Sequence, residues 1–182
     1  FGWSVSSAGD VNSDGYDDVL VGAYAYDGGQ SDEGKSYVFL GSVGGLSSSP
    51  SWTAESNQAN AWFGRSVAGV GDVNGDGYDD VILGAPIDFA FAGGTGSSYI
   101  VYGTANGFDS TLNVWELDGV AGFAIRGIDS FDHAGFSVSG VGDLNGDGLM
   151  DMVHADGRTH NESLYADVYG FFVQYRDDQG KL

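Results

Sequence analysis

Two stretches of this chain lie over each other without a gap: FGWSVSSAGDVNSDGYDDVLVGA, from Phe1, and FGRSVAGVGDVNGDGYDDVILGA, from Phe63. A third, AGFSVSGVGDLNGDGLMDMVHAD, follows from Ala134. The first acid of each cluster stands at Asp10, Asp72 and Asp143, spacings of 62 and 71 residues. Repetition at such a period constrains the fold more than local propensity does, because each unit must bury its apolar face against a neighbour. The register of the first two copies persists past the acidic cluster. SYVFLGSVGGL, Ser36 to Leu46, overlies SYIVYGTANGF, Ser98 to Phe108, at the same offset, and Trp52 and Trp115 differ by one residue more. The extra length before the third copy lies mainly in ELDGVAGFAIRGIDSFDHAG. The expected units are residues 1–62, 63–133 and 134–182, the last shorter and incomplete.

Each unit reads as about four strands. In the second, GRSVAGV alternates small and apolar residues, DDVILGA is continuously apolar, SSYIVYG is aromatic and β-branched, and the segment around Trp115 supplies the fourth. In the third, the aromatic strand is either LYADVYG or FFVQY. Clusters of Gly, Ser, Asn and Asp separate the strands, and no stretch sustains a helical period. The fold class expected is all-β: propeller blades of four antiparallel strands in about three repeats, either a partial propeller or one closed by oligomerisation. A β-sandwich is the competing architecture.

Every copy carries the pattern D-x-N-x-D-G-x-x-D. Asp10, Asn12, Asp14 and Asp18 form the first set, Asp72, Asn74, Asp76 and Asp80 the second, and Asp143, Asn145, Asp147 and Asp151 the third. Oxygen donors at alternate positions of a tight loop can converge on one hard cation that takes six to eight of them. The Gly after the third donor (Gly15, Gly77, Gly148) permits the bend. The residue after it (Tyr16, Tyr78, Leu149) is expected to offer a backbone carbonyl, which leaves its side chain free to vary. Ca²⁺ suits such a set better than Mg²⁺, which keeps waters and demands a stricter octahedron. Zn²⁺ prefers nitrogen and sulfur. An EF-hand would need Glu at loop position 12 and a helix after it; Val21, Leu83 and His154 stand there, followed by strand. An Asx-rich turn is the reading without a metal.

The chain has 26 acidic and 6 basic residues, a formal net charge of −20. That balance leaves no basic patch for nucleic acid or anionic membrane. Three Ca²⁺ ions would move the charge to −14 and relieve repulsion where it is densest; adaptation to salt is the other source of such acidity. With no cysteine, disulfides and thiolate sites are excluded. No apolar run approaches a membrane span. A chain that opens on FGWSVSSAGD reads as a mature or excised piece of something longer.

The combination of Phe63–Gly64, the acidic loop and Gly84–Ala85–Pro86 at fixed spacing resembles the FG-GAP repeat, the blade of the integrin α-subunit propeller and of large bacterial surface proteins. The resemblance implies Ca²⁺ in the hairpin between the first two strands of each blade, an extracellular or cell-surface setting, and about three Ca²⁺ sites here. It also implies partners: a protein or carbohydrate surface ligand, and further blades of a longer chain or another copy of this one. Three departures stand out. Tyr24 replaces the Pro of GAP in the first unit, and Ala134–Gly135 and Ala155–Asp156 replace FG and GA in the third, which puts that unit's strand packing in question. Three blades also leave two open edges, where closed propellers have at least about four blades.

No nucleophile, zinc-protease or phosphate-loop motif occurs, and no enzyme is expected. His133, His154 and His160 fit packing or surface roles, and Asp17 and Asp79 read as solvated or as supports beside the ligands. Tyr37, Phe39, Tyr99 and Tyr102 read as blade-to-blade packing, whereas Trp62 and the segment Ile87 to Gly94 are candidates for an exposed binding loop. Asn161–Glu162–Ser163 is a glycosylation sequon, and no R-G-D occurs. The expected function is a noncatalytic, Ca²⁺-stabilised adhesion or recognition segment. The alternatives are a subunit of a surface polymer or sheath, and an accessory domain of a secreted hydrolase.

Overall fold

The repeating pattern of small, apolar and acidic residues becomes three successive antiparallel sheets. A computed structural model describes residues 1–88, 94–108, 112–127, 131–146, 148–155 and 171–174. The first sheet runs β1 (Ser4–Gly9), β2 (Asp18–Ala23), β3 (Lys35–Phe39) and β4 (Trp52–Glu55) in simple order. The second repeats it with β5 (Val67–Gly71), β6 (Asp80–Ala85), β7 (Ser97–Val101) and β8 (Gly122–Arg126). The third holds β9 (Ser137–Gly142), β10 (Asp151–Ala155) and β11 (Phe171–Gln174). The protein is all-β, with two four-stranded meanders and a third sheet of three described strands stacked as propeller blades, and among the described residues the one helical element is a 3₁₀ turn at Val114–Glu116.

The continuous apolar run of β6 follows from its position in the middle of the stack. Val81 and Leu83 point toward the first sheet and meet Leu20, Val38, Trp52 and Phe63 in one cluster. Ile82 points the other way and joins Ile100, Val70 and Met152 between the second and third sheets. Ile82 and Leu83 are both fully buried, each contributing about 1.5–3 kcal/mol, so β6 is held from both faces. A strand with one wet face would alternate instead.

Glycine sets how closely the sheets approach. The Gly22 Cα faces the Gly64 carbonyl, and the Gly84 Cα faces that of Gly135; a Cβ on either would lie 2.0 Å from that oxygen. The same two carbonyls accept hydroxyls from the preceding sheet, Ser4 Oγ to Gly64 O at 2.9 Å and Ser66 Oγ to Gly135 O at 2.7 Å. Parallel bridges Gly34–Phe63 and Gly96–Ala134 extend the seam. This answers the question that the third unit raised. Ala134 is buried and Gly135, at φ +84°, makes the approach that Gly64 makes at φ +76°, so the seam survives the loss of the Phe ring.

Two strand expectations resolve differently. Trp115 does not begin the fourth strand of the second sheet. It sits in the 3₁₀ turn, whose N-terminus is capped by Asn113 Oδ1, and β8 lies within the segment read as extra connection. The reason is packing: in β8 Phe123 and Ile125 reach the cluster shared with the third sheet while Ala124 turns to the other. Trp115 meanwhile reaches across to the first sheet, its indole N–H donating to Ser56 O. In the third sheet FFVQ is the strand beside β10, with Met152 opposite Gln174; LYADVYG lies outside the described residues.

Replacing Gly84 by Ala puts the new methyl into the Gly135 carbonyl and Ser66 hydroxyl, neither of which can yield without parting the sheets. The expected loss is about 3 kcal/mol, read as a lower midpoint in urea unfolding. Gly45→Ala, at φ +95° in open space, should lose only the conformational cost of about 1 kcal/mol.

Candidate metal centres

A bulge launches each acidic loop. The β1–β2 register slips between Ser7 and Gly9, the β5–β6 register between Gly69 and Gly71, and the third repeats it beside Asp151. Gly9, Gly71 and Gly142 take φ of +75°, +71° and +77° there. The extra residue re-aims the chain out of the sheet, and the nonapeptide then returns it to the next strand.

The first loop is organised around Asp10. Its Oδ1 accepts the Asp14 N–H at 3.0 Å and its Oδ2 the Gly15 N–H at 2.7 Å. Asn12 Oδ1 accepts from Asp14 N at 3.2 Å, and Asp14 Oδ1 from Tyr16 N at 3.0 Å. The second loop repeats this with Asp72 accepting from Asp76 N and Gly77 N, Asn74 from Asp76 N, and Asp76 from Tyr78 N. In the third, Asp143 accepts from Gly146 N at 2.6 Å and Gly148 N at 2.9 Å. Asn145 and Leu149 lie in that loop, and Asp147 lies outside the described residues. Asp10, Asn12, Asp14 and Tyr16 thus share one curled turn, as do Asp72, Asn74, Asp76 and Tyr78.

The last acid of each loop lies at the sheet edge and is buried. Asp18 takes Val11 N at 3.0 Å and Gly41 N at 2.8 Å; Asp80 takes Val73 N at 2.9 Å and Gly103 N at 2.8 Å; Asp151 takes Leu144 N at 2.8 Å. Burial drives the Asp80 carboxyl from 3.8 up to about 7, against the two backbone N–H groups, and the nearby Asp76 and Asp72 charges raise it further. Asp18 is raised for the same reason, first by burial, then by Asp14 and Asp10.

Among the described residues no three carboxylate or imidazole groups converge as a ready cation cage. The chemistry of the donors nevertheless fits a hard cation. Every side chain is an oxygen donor, the loop carboxylates keep lone pairs beyond those their N–H partners occupy, and Asp80 is a fully buried acid faced by two more acids. An uncompensated buried carboxylate is costly, and a divalent ion is the compensation this donor set would accept.

Two features escaped the sequence reading. Asp79 is half-buried and is a support, but for the neighbouring loop and not its own: its Oδ2 accepts the Asp10 N–H across the sheet boundary at 2.8 Å. The other is an aromatic cluster at the strand ends opposite the loops. Tyr24, in the place of the GAP proline, lies edge-on between Trp3 at 4.8 Å and Trp62 at 5.5 Å, and the Arg65 guanidinium stacks between Trp3 and Phe136. Trp62 holds a left-handed φ of +56°, a strained conformation for an aromatic residue. Of the blade-packing aromatics, Tyr99 is fully buried against Phe63 and Trp115, and Tyr102 packs on Phe123. Of the candidate loop at Ile87 to Gly94, residues 89–93 lie outside the described set, as do His160 and the sequon.

The raised Asp80 carboxyl gives a signed expectation for the metal-free protein. Its folded pKa exceeds its unfolded one, so the folded state favours the protonated form. Stability from this group is full below about pH 4 and is lost as pH rises toward 7. Melting in EDTA should therefore fall between pH 5 and pH 8, with a shallower fall in Asp80→Asn. Equal slopes in the two proteins would contradict this assignment.

Comparison with known proteins agrees with this architecture. The FG-GAP repeat family matches residues 1–39 and 63–101. Integrin alpha pat-2 of Caenorhabditis elegans is 34% identical over 176 residues, covering 90% of this chain and 14% of that protein. Integrin alpha-6 of Gallus gallus is 34% identical over 158 residues, covering 84% and 13%. Integrin alpha-5 of Xenopus laevis is 39% identical over 89 residues, covering 47% and 8%. The chain thus spans less than a sixth of the length of these relatives. The family match and these relatives show that the chain carries FG-GAP repeats of the integrin-α-like kind.

Proposed function

We propose that this chain is a noncatalytic segment of an extracellular adhesion or recognition propeller, its loops held by Ca²⁺. The observation that carries the reading is the buried last acid of each loop, Asp18, Asp80 and Asp151, lying in a turn of further oxygen donors. Ca²⁺ there would be held by Asp10, Asn12, Asp14, Asp18 and the Tyr16 carbonyl, and by the matching residues of the second and third loops. Bound Ca²⁺ would supply positive charge that keeps the buried acids ionised and the turn closed. Loops of this kind suit the millimolar Ca²⁺ outside cells, and the integrin-α relatives favour the same setting. Among the described residues no helix is long and apolar enough to cross a membrane.

The surface offered to a partner is the aromatic end away from the loops. Trp3 is 56% exposed there beside Tyr24 and Trp62, and rings that combine apolar faces with polar edges suit a protein or a sugar. A further blade is the partner favoured at the first sheet's outer face. Phe63 and Val67 are buried against the first sheet, whereas their counterparts Phe1 and Val5 are 81% and 63% exposed, and Leu46 is 52% exposed where Phe108 is covered. That face accepts a blade of a longer chain or of a second copy, which also keeps the surface-polymer reading in play.

Calcium at a hundred times its dissociation constant should stabilise the fold by about 2.7 kcal/mol per site, or roughly 5–10 °C in melting temperature for a domain of this size. Scanning calorimetry in millimolar Ca²⁺ against EDTA measures it. Identical melting, once elemental analysis confirms metal removal, would overturn the reading. Sedimentation velocity addresses the open face: association that rises with concentration and is abolished by Val5→Asp is expected if a second copy covers it.

A further inference from the structure

The first two loops are joined to each other across the sheet boundary by two routes. The first runs through Asp79, which precedes the last acid of the second loop. Asp79 Oδ2 accepts the Asp10 N–H at 2.8 Å, and the Asp79 N–H donates to the Asp10 carbonyl at 3.2 Å. The peptide groups on both sides of the residue that organises the first loop are thereby fixed by one residue of the second. Gly9 is left-handed at φ +75°, and a Cβ there would lie 2.1 Å from Asp79 Oδ2, so the glycine makes room for the carboxylate.

The second route passes through Val11. Its N–H donates to Asp18 Oδ2 at 3.0 Å and its carbonyl accepts the Thr104 N–H at 3.1 Å. Next to Thr104, the Gly103 N–H donates to Asp80 Oδ1 at 2.8 Å. The buried acid of the first loop and that of the second are therefore separated by a short run of hydrogen-bonded peptides, and an ion that fixes Asp80 also fixes the platform on which Asp10 and Asp18 stand.

Between the second and third loops half of this is missing. The Met150 N–H still donates to the Asp72 carbonyl at 3.3 Å, but Met150 occupies the Asp79 position. Its side chain packs where a Gly71 Cβ would be, 2.7 Å from Met150 Cγ, and a thioether cannot replace the carboxylate as acceptor for Asp72 N–H.

We infer that Asp79 is a positioning residue that couples the first two cation loops, so that filling the second loop raises the affinity of the first. The inference rests on the reading of the loops as Ca²⁺ sites. A fixed platform lowers the ordering cost of the neighbouring loop, which is positive coupling without any shared ligand. Asp17 is the matching residue of the first unit; among the described residues no second loop lies beside it, and it serves as the internal contrast.

The experiment is a Ca²⁺ titration of the full chain followed by amide resonances, with Gly15 marking the first loop and Gly77 the second. Asp80→Asn, which removes a carboxylate of the second loop and alters the Gly103 end of the second route, should weaken the first loop by about tenfold. Asp79→Ala should weaken the first loop by a similar factor and leave the second within about twofold. In the double variant Asp80→Asn should add less at the first loop than it does alone, because one of the two routes is already cut. Asp79→Asn separates position from charge: its amide oxygen can still accept the Asp10 N–H, so it should retain most of the first-loop affinity. Equal weakening of both loops by either Asp79 variant would reveal a general charge effect and overturn the coupling. So would a first loop indifferent to Asp80→Asn, a result available even if Asp79→Ala fails to fold. Absence of Ca²⁺ uptake by the unsubstituted protein would overturn the reading of the loops as well, whereas normal uptake with independent loops overturns the coupling alone.

Discussion

The close approach of one glycine to another sheet's carbonyl is the constraint on which the rest of the structure depends. Gly22 meets Gly64, and Gly84 meets Gly135, with no room at either place for a Cβ. Because the contact is backbone to backbone, it fixes the spacing of the sheets regardless of the side chains around it. Ser4 and Ser66 then satisfy the carbonyl that the contact would otherwise bury unpaired. With the spacing fixed, the apolar faces of β6 and β7 are covered on both sides, and the loop at the far end of each hairpin comes to rest against the loop of the sheet before it.

This ordering explains how the chain tolerates so dense a set of carboxylates. Within each loop the first acid is engaged by backbone N–H groups, which suits an anion without consuming all its lone pairs. The last acid is buried, and burial is what drives Asp80 upward. A sheet seam that could shift would let that acid escape to water. The seam keeps it buried, so a carboxyl that two backbone N–H groups already engage is still pushed toward its protonated form. Structure and electrostatics thus make the same demand at the same residue.

Much of this was legible in the sequence because it repeats. A gap-free overlay of 23 residues fixes the hairpin, the bulge glycine and the loop together, and the structure returns the same strands in both copies. What was not legible lies where the repeat breaks or where partners are distant in sequence. Trp115 looked like the start of a strand because Trp52 is one, yet a 3₁₀ turn capped by Asn113 carries it across to Ser56 while GFAIR takes the sheet edge. Asp79 read as solvated or as a support beside its own loop's ligands because its partner, Asp10, is 69 residues away. The aromatic trio of Trp3, Tyr24 and Trp62 is assembled from distant parts of the first unit and has no local signature.

The third unit shows which parts of the motif carry the architecture and which carry something else. It replaces Phe63 with Ala134 and Asp79 with Met150, but keeps the left-handed Gly135, the bulge at Gly142 and the buried Asp151. The ring of Phe63 fills space between sheets and touches Tyr99, so a smaller residue costs packing without moving the seam. Asp79 pairs with no strand; its carboxylate and its N–H both engage the neighbouring loop's Asp10 peptide groups. Gly135 has no such latitude, since any side chain there would strike Ser97 O and the Gly84 backbone. The glycines therefore define the blade, the last acid ties its loop to the sheet, and the residue before that acid decides whether a side chain adds to the backbone link with the loop before it.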